Sequence, residues 1–198
     1  VSLIRLCTQK LESAEQSVKV LQVSEEGITL ADFEGRGDKY NRAGERNFSV
    51  IIPDQEIANQ LQKNGIESEI FHVGTKPIAN CIACGKCPET GKCVFDTDGV
   101  NEIGARLDEF DAIVLGSPVY YAGPSGQLCS FCDRLFFANS KKMAGKLAAA
   151  VVSCRRGGAT ASFDRLNKYF TIANMQVVGS QYWNMVHGHN ADEVRQDL

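Results

Sequence analysis

Eight cysteines stand among the 198 residues. Four of them fall in the segment CIACGKCPETGKC, where Cys81, Cys84, Cys87 and Cys93 form a C-x2-C-x2-C-x5-C pattern. Two-residue gaps turn successive thiolates toward one centre, and Gly85 and Gly91 permit the tight turns this requires. Four thiolates suit either a [4Fe–4S] cluster or Zn2+. Three cysteines in a row at this gap are more typical of iron–sulfur loops than of zinc sites, which pair two knuckles far apart. The plain alternative is a set of reduced thiols in a packed loop. A second pair, Cys129 and Cys132, lies three residues apart on an expected helix and so shares one face. It reads as buried structural thiols, with Asp133 and Arg134 beside it as a solvated or capping pair.

Three further segments follow apolar runs directly. GSPVYYAGPSGQ (116–127) offers Ser117, Pro118, Tyr120 and Tyr121, two aromatics able to flank a planar ring. SCRRGGAT (153–160) offers Arg155 and Arg156, with Gly157 and Gly158 allowing close backbone approach to an anion near a helix start. QYWNMVHGHN (181–190) mixes Trp183 and Asn184 with His187 and His189, for which surface loop positions are a commoner role than acid/base work. In open α/β sheets ligands bind outside the carboxyl ends of strands, so such loops point to one crevice.

The elements that must position these groups alternate in type. Strands are expected at 68–73, 111–117, 146–154 and 176–183, and helices at 99–110, 124–137 and 160–173. Val100, Ile103 and Leu107 mark one helical face; Phe163, Leu166, Tyr169 and Phe170 mark another. This alternation predicts a doubly wound parallel α/β sheet. The first 64 residues differ. They carry strand-like runs at 17–23, 27–34 and 47–53, a polar hairpin tip between the last two, and a helix at 53–65 opened by Pro53 and closed by Gly65. The chain thus divides into an atypical β-rich segment, 1–64, and an α/β domain, 65–198. With 43% hydrophobic and 23% charged residues a packed core is expected, and a net charge of −3 excludes a whole-domain basic field for nucleic acid. No run is long and apolar enough to span a membrane, and the first residues do not read as an export signal, so a cytoplasmic setting is expected.

Residues 65–187 resemble the flavodoxin-like NAD(P)H-dependent FMN oxidoreductases of the iron–sulfur flavoprotein type. The matching pieces are GIESEIFHVG, CIACGKC…GKC, DAIVLGSPVYYAGPSGQL…DRLFF, AGKLAAAVVSCRRGGATASFDRLNKYF and SQYWNMVHG. The resemblance implies that Ser117, Pro118, Val119, Tyr120 and Tyr121 line the flavin ring of FMN. It implies that Arg155, Arg156, Gly157 and Gly158 cover the pyrimidine end, and that Trp183 to His187 close the site, with a homo-oligomer (dimer or tetramer) contributing. It implies a [4Fe–4S] cluster on Cys81, Cys84, Cys87 and Cys93, NAD(P)H as electron donor, and a small-molecule or protein acceptor.

The chain departs from the family where FMN phosphate binds. Ile52, Pro53 and Asp54 stand in place of a Gly/Ser/Thr-rich loop, Glu25 and Glu26 follow the expected first strand, and no segment corresponds to the family's final helix. Proline removes a donor and Asp54 adds negative charge, so weak flavin binding is expected. The alternative is a non-flavin module of the same fold, using the 35–46 hairpin (Arg36, Lys39, Tyr40, Arg42, Arg46) to meet a partner or single-stranded nucleic acid. Asp38 and Glu45 in that hairpin favour a merely solvated tip, and the Arg-Gly-Asp at 36–38 is common by chance.

Overall fold

A computed structural model describes residues 19–24, 54–74, 76–189 and 192–194. The strand-like runs at 27–34 and 47–53, the 35–46 hairpin, and Ile52 and Pro53 lie outside them.

Strand β1 (Lys19–Ser24) is followed, within the described residues, by helix α1 (54–63) and strand β2 (Glu67–His72). A single turn, α2 (Cys87–Thr90), precedes helix α3 (Val100–Arg106) and a 3-10 turn (Leu107–Glu109). Then come β3 (Ala112–Tyr120), β4 (Gly123–Pro124), α4 (Gly126–Met143), β5 (Leu147–Cys154), α5 (Ala159–Ile172), β6 (Gln176–Val177) and β7 (Met185–His187). The strands form one sheet in the order β2-β1-β3-β5-β6, with every pair on that path parallel. Short β4 folds back antiparallel on β3, and β7 extends the last strand position beside β5. Chain direction across the sheet reverses between β1 and β3, the switch point at which such sheets bind ligands.

Alternation along the central strands sorts the core into two layers. Leu21, Val23, Ile113, Leu115, Ala148, Ala150 and Val152 face α3, α4 and α5 in the larger layer. Val20, Ala112, Val114, Leu147, Ala149 and Val151 face the other way, toward Leu61 of α1 and Ile66. Burial on both faces is why these strands read as continuous apolar runs rather than alternating ones. Strand β1, from within the first 64 residues, lies in the middle of this sheet.

One expected strand differs. The run at 176–183 pairs only at Gln176–Val177, and pairing resumes at Met185–His187. Asn184 makes the break: its carbonyl accepts from Val152 N at 3.0 Å and its side chain donates to Ala150 O at 3.1 Å. The segment carrying Tyr182 and Trp183 is thereby released from the ladder, and both rings are exposed and in contact, with centroids 5.0 Å apart.

Candidate functional site: a strand-end crevice and a thiol cage

Ser117 is buried at the carboxyl end of β3, and its hydroxyl accepts from the Ser125 backbone N–H at 2.9 Å. Ser125 caps α4, so one hydroxyl ties strand end to helix start. Between them Val119 pairs with Pro124 and Tyr120 with Gly123, leaving a two-residue hairpin loop of Tyr121 and Ala122. Both have left-handed backbone, with φ of 52° and 64°. A tight hairpin demands this, but residues bearing a Cβ adopt it at a cost of ~1–2 kcal/mol each. The strained turn holds Tyr121 wholly in solvent, with Tyr120 half exposed beside it. Strain of this kind concentrates at functional sites.

The second loop meets the first. Gly158, with φ of 92°, is the residue before α5, and a Cβ built on it would lie 2.6 Å from the Ala122 Cα. Only glycine allows this approach. Arg155, Arg156 and Gly157 are exposed on the same loop, and among the described residues neither arginine forms an ion pair. His187 pairs in register with Cys154 at the end of β5, which brings the third loop to the same edge. We expect Gly158→Ala to force the two loops apart, destabilising the protein by roughly 2 kcal/mol. Flavin titration should show at least tenfold weaker binding, and unchanged binding would argue against a shared crevice.

Beneath the switch point lies a group whose character the sequence did not reveal. Asp54, at the start of α1, is completely buried, and among the described residues neither carboxylate oxygen has a hydrogen-bond partner. A Cβ on Gly116 of β3 would lie 2.7 Å from its Oδ1 and 3.2 Å from the Ser24 Cβ, so the carboxylate sits between the ends of β1 and β3. Burial pushes its pKa up to about 7, and the nearby Ser24 hydroxyl offsets this only in part. That hydroxyl is 3.1 Å from His72 Nδ1. The strand-end loops leave the crevice open, and among the described residues Arg155 and Arg156 are outside any ion pair. The helix start offers an orphaned carboxylate where a phosphate would want donors.

The thiol cage stands apart from this crevice. Cys81, Cys84, Cys87 and Cys93 line one open pocket, with Arg134 and Phe137 of α4 on its far wall. Left-handed Ala83 and Gly85 turn the loop between the first three cysteines, and left-handed Gly91 ends α2 by donating to Cys87 O at 2.8 Å. The sulfurs surround one space without closing to single-ion geometry: among the described residues no three His, Cys, Asp or Glu form such a group. Burial, with the neighbouring thiols of Cys84, Cys81 and Cys93 adding to it, pushes the Cys87 thiol up. The donor set fits a centre ligated by four thiolates. Asn101 of α3 fixes the fourth position, accepting from Cys93 N at 2.8 Å and donating to Cys93 O at 2.9 Å.

Two expectations beside the cage are settled differently. Arg134 is not half of a solvated pair; it is fully buried and bound to Asp98. Its neighbour Asp133 instead accepts from Tyr169 Oη at 2.6 Å and Arg165 Nη2 at 3.0 Å, on the helix face toward α5. Cys132 is buried in the core and Cys129 half buried, with burial pushing both thiols up, as suits structural cysteines. Arg134, Asp98 and Asn101 escaped the sequence reading. The available signal was a single arginine inside the otherwise apolar run LCSFCDRLFF.

The strand order and strand-end crevice define a flavodoxin-like fold. The model of the NADPH-dependent FMN reductase family matches residues 54–190, and the chain belongs to that family. An iron-sulfur flavoprotein of Methanocaldococcus jannaschii is 36% identical over 140 residues, covering 68% of this chain and 70% of the relative. One from Methanosarcina thermophila is 29% identical over 142 residues, covering 70% and 72%. Among solved structures, an NAD(P)H:quinone oxidoreductase from Methanothermobacter marburgensis superposes with a TM-score of 0.60 at 12% identity, covering 92% of this chain and 93% of that one. An archaeal flavodoxin superposes at 0.51 with 14% identity, covering 90% of each. Both show a shared fold. Among the described residues no helix is long and apolar enough to cross a membrane.

Proposed function

We propose that this chain is an FMN-dependent oxidoreductase that takes electrons from NAD(P)H and passes them to a small-molecule or protein acceptor, with a [4Fe–4S] cluster on Cys81, Cys84, Cys87 and Cys93. The observation that carries it is the close approach of Gly158 to Ala122, which joins the two loops beside the switch point. FMN, once bound, supplies hydride uptake and one-electron release. The chain's own residues orient and tune it. The Tyr120–Tyr121 turn presents aromatic faces to the ring. Arg155, Arg156 and the Gly157–Gly158 backbone supply positive charge and N–H groups at the pyrimidine end, where negative charge develops on reduction. Trp183 and His187 close the crevice, and the exposed Tyr182–Trp183 pair suits contact with a second copy in a dimer or tetramer. A cytoplasmic setting accords with the free thiols of Cys81, Cys84, Cys87 and Cys93.

One observation favours a second reading. The buried carboxyl of Asp54 opposes a phosphate at the helix start, as in a module of this fold that has lost flavin. The visible spectrum of protein purified without oxygen separates the two. Flavin bands near about 370 and 450 nm, with a shoulder near about 400 nm that bleaches on reduction, are expected. Protein that stays colourless after addition of FMN, iron and sulfide would leave only the second reading.

A further inference from the structure

The side chain of Arg134 is inaccessible to solvent, yet all five of its N–H donors are engaged. Nε donates to the Cys93 Sγ at 3.1 Å. Nη2 donates to Phe95 O at 2.8 Å and Asp98 Oδ1 at 3.1 Å. Nη1 donates to Ala79 O at 3.3 Å and to Asp98 Oδ2. The guanidinium also lies over the Phe95 ring, 5.1 Å from its centroid. Its acceptors come from both sides of the cysteine loop: Ala79 just before Cys81, and Cys93, Phe95 and Asp98 after it. One side chain on a rigid helix thus pins both ends of the segment carrying the four thiols.

The bidentate pairing with Asp98 fixes the plane of the guanidinium. That pairing balances the arginine's charge within the clamp, and the remaining Nε–H is aimed at a sulfur. An N–H donated to a metal-bound sulfur is a charge-assisted hydrogen bond, stronger the more negative charge that sulfur carries. Hydrogen bonds to cluster sulfurs favour the reduced, more negative state and raise the midpoint potential.

We propose that Arg134 is a positioning residue of the thiol cage: its Nε–H···Sγ bond to Cys93 both retains a metal centre there and raises that centre's reduction potential. The inference rests on the reading of the four cysteines as an iron–sulfur site. Among the described residues, the other lining groups, Ile82, Ala83, Val94, Phe95 and Phe137, have no polar side-chain atom to supply this bond from the cavity wall.

The test uses the full chain, reconstituted without oxygen with iron and sulfide. Arg134→Lys removes the Nε donor but keeps a cation for Asp98. It should shed iron to a chelator about tenfold faster and show a more negative cluster midpoint by spectroelectrochemical titration. Asp98→Asn loosens the clamp and leaves the Nε–H in place, so it should speed iron loss with a much smaller change in potential. Equal shifts in potential for both variants, or no shift in Arg134→Lys, would overturn the tuning role. Should Arg134→Lys fail to fold, the wild-type protein decides: with 15N-labelled arginine, the reduced cluster should show a nitrogen hyperfine coupling, and its absence overturns the proposal. A wild-type chain that takes up no cluster refutes the iron–sulfur reading instead, an outcome distinct from a loaded cluster indifferent to Arg134.

Discussion

Cys87→Ser is expected to reduce reconstituted iron from about four per chain to near zero while leaving flavin binding as it was. A serine oxygen is a hard, weakly acidic ligand, and iron held by sulfur selects soft thiolates. Cys87 opens α2, whose four residues include none that is buried, so little packing is lost with the sulfur and the apoprotein's melting temperature should hold. The strand-end loops should not register the change, because cage and crevice hang from different stretches of α4. The helix is capped by Ser125, behind the Tyr121 turn, while Arg134 lies nine residues on, roughly 13 Å further along the axis. Iron analysis and the visible spectrum of the variant check both halves. Wild-type iron content in Cys87→Ser would exclude it as a ligand, and loss of flavin together with iron would mean that the two sites are coupled.

The shared helix explains how one element serves two sites. Ser125 accepts from Leu128 N at 3.4 Å at its start, and Ser117 ties it to β3. In the first turn Gln127 donates to Gly74 O, and in the second Ser130 donates to Asn80, drawing the strand exit of β2 along the helix toward Cys81. Arg134 then seizes both ends of the cysteine loop. The side chains that do this are polar residues scattered through an amphipathic helix, each with its own local explanation in sequence. That is why the helix was legible at 124–137 and its function was not. Apolar period identified what faces the core; it carries no information about which acceptor a buried guanidinium will find. The strands were legible for the opposite reason. Val20 to Val23, Ala112 to Leu115 and Leu147 to Val152 are buried on both faces, and continuous apolar runs bounded by turns have few other structural solutions. The close approach at Gly158 was foreshadowed by the Gly157–Gly158 pair. Its partner at Ala122 was not, because left-handed alanine leaves no compositional mark.

Asp54→Asn should tighten FMN binding about tenfold at pH 8, have little effect at pH 6, and leave riboflavin binding unchanged. The argument starts from position. Asp54 lies between the ends of β1 and β3, where this topology binds its ligand, at the start of a ten-residue helix whose N–H groups would otherwise attract an anion. With its pKa near 7, the carboxyl is mostly charged at pH 8 and mostly neutral at pH 6. A negative carboxylate close to a phosphate dianion costs about 1.4 kcal/mol even when well screened, which corresponds to tenfold in affinity. Riboflavin has no phosphate and reports the ring site alone. The same group affects folding in a definite direction. Its pKa is higher folded, about 7, than the 3.8 of an unperturbed aspartate, so the native state binds more protons across that interval. Its contribution to stability is therefore full below about pH 4, declines as pH rises toward 7, and is lost above it. In Asp54→Asn that decline should vanish, leaving the variant more stable than wild type at pH 8 by up to about 4 kcal/mol. Chemical denaturation at pH 5 and pH 8 checks the folding half, and flavin titration at pH 6 and pH 8 the binding half. Equal FMN affinity in both proteins at pH 8 would place the phosphate away from α1 and make Asp54 a feature of the core alone.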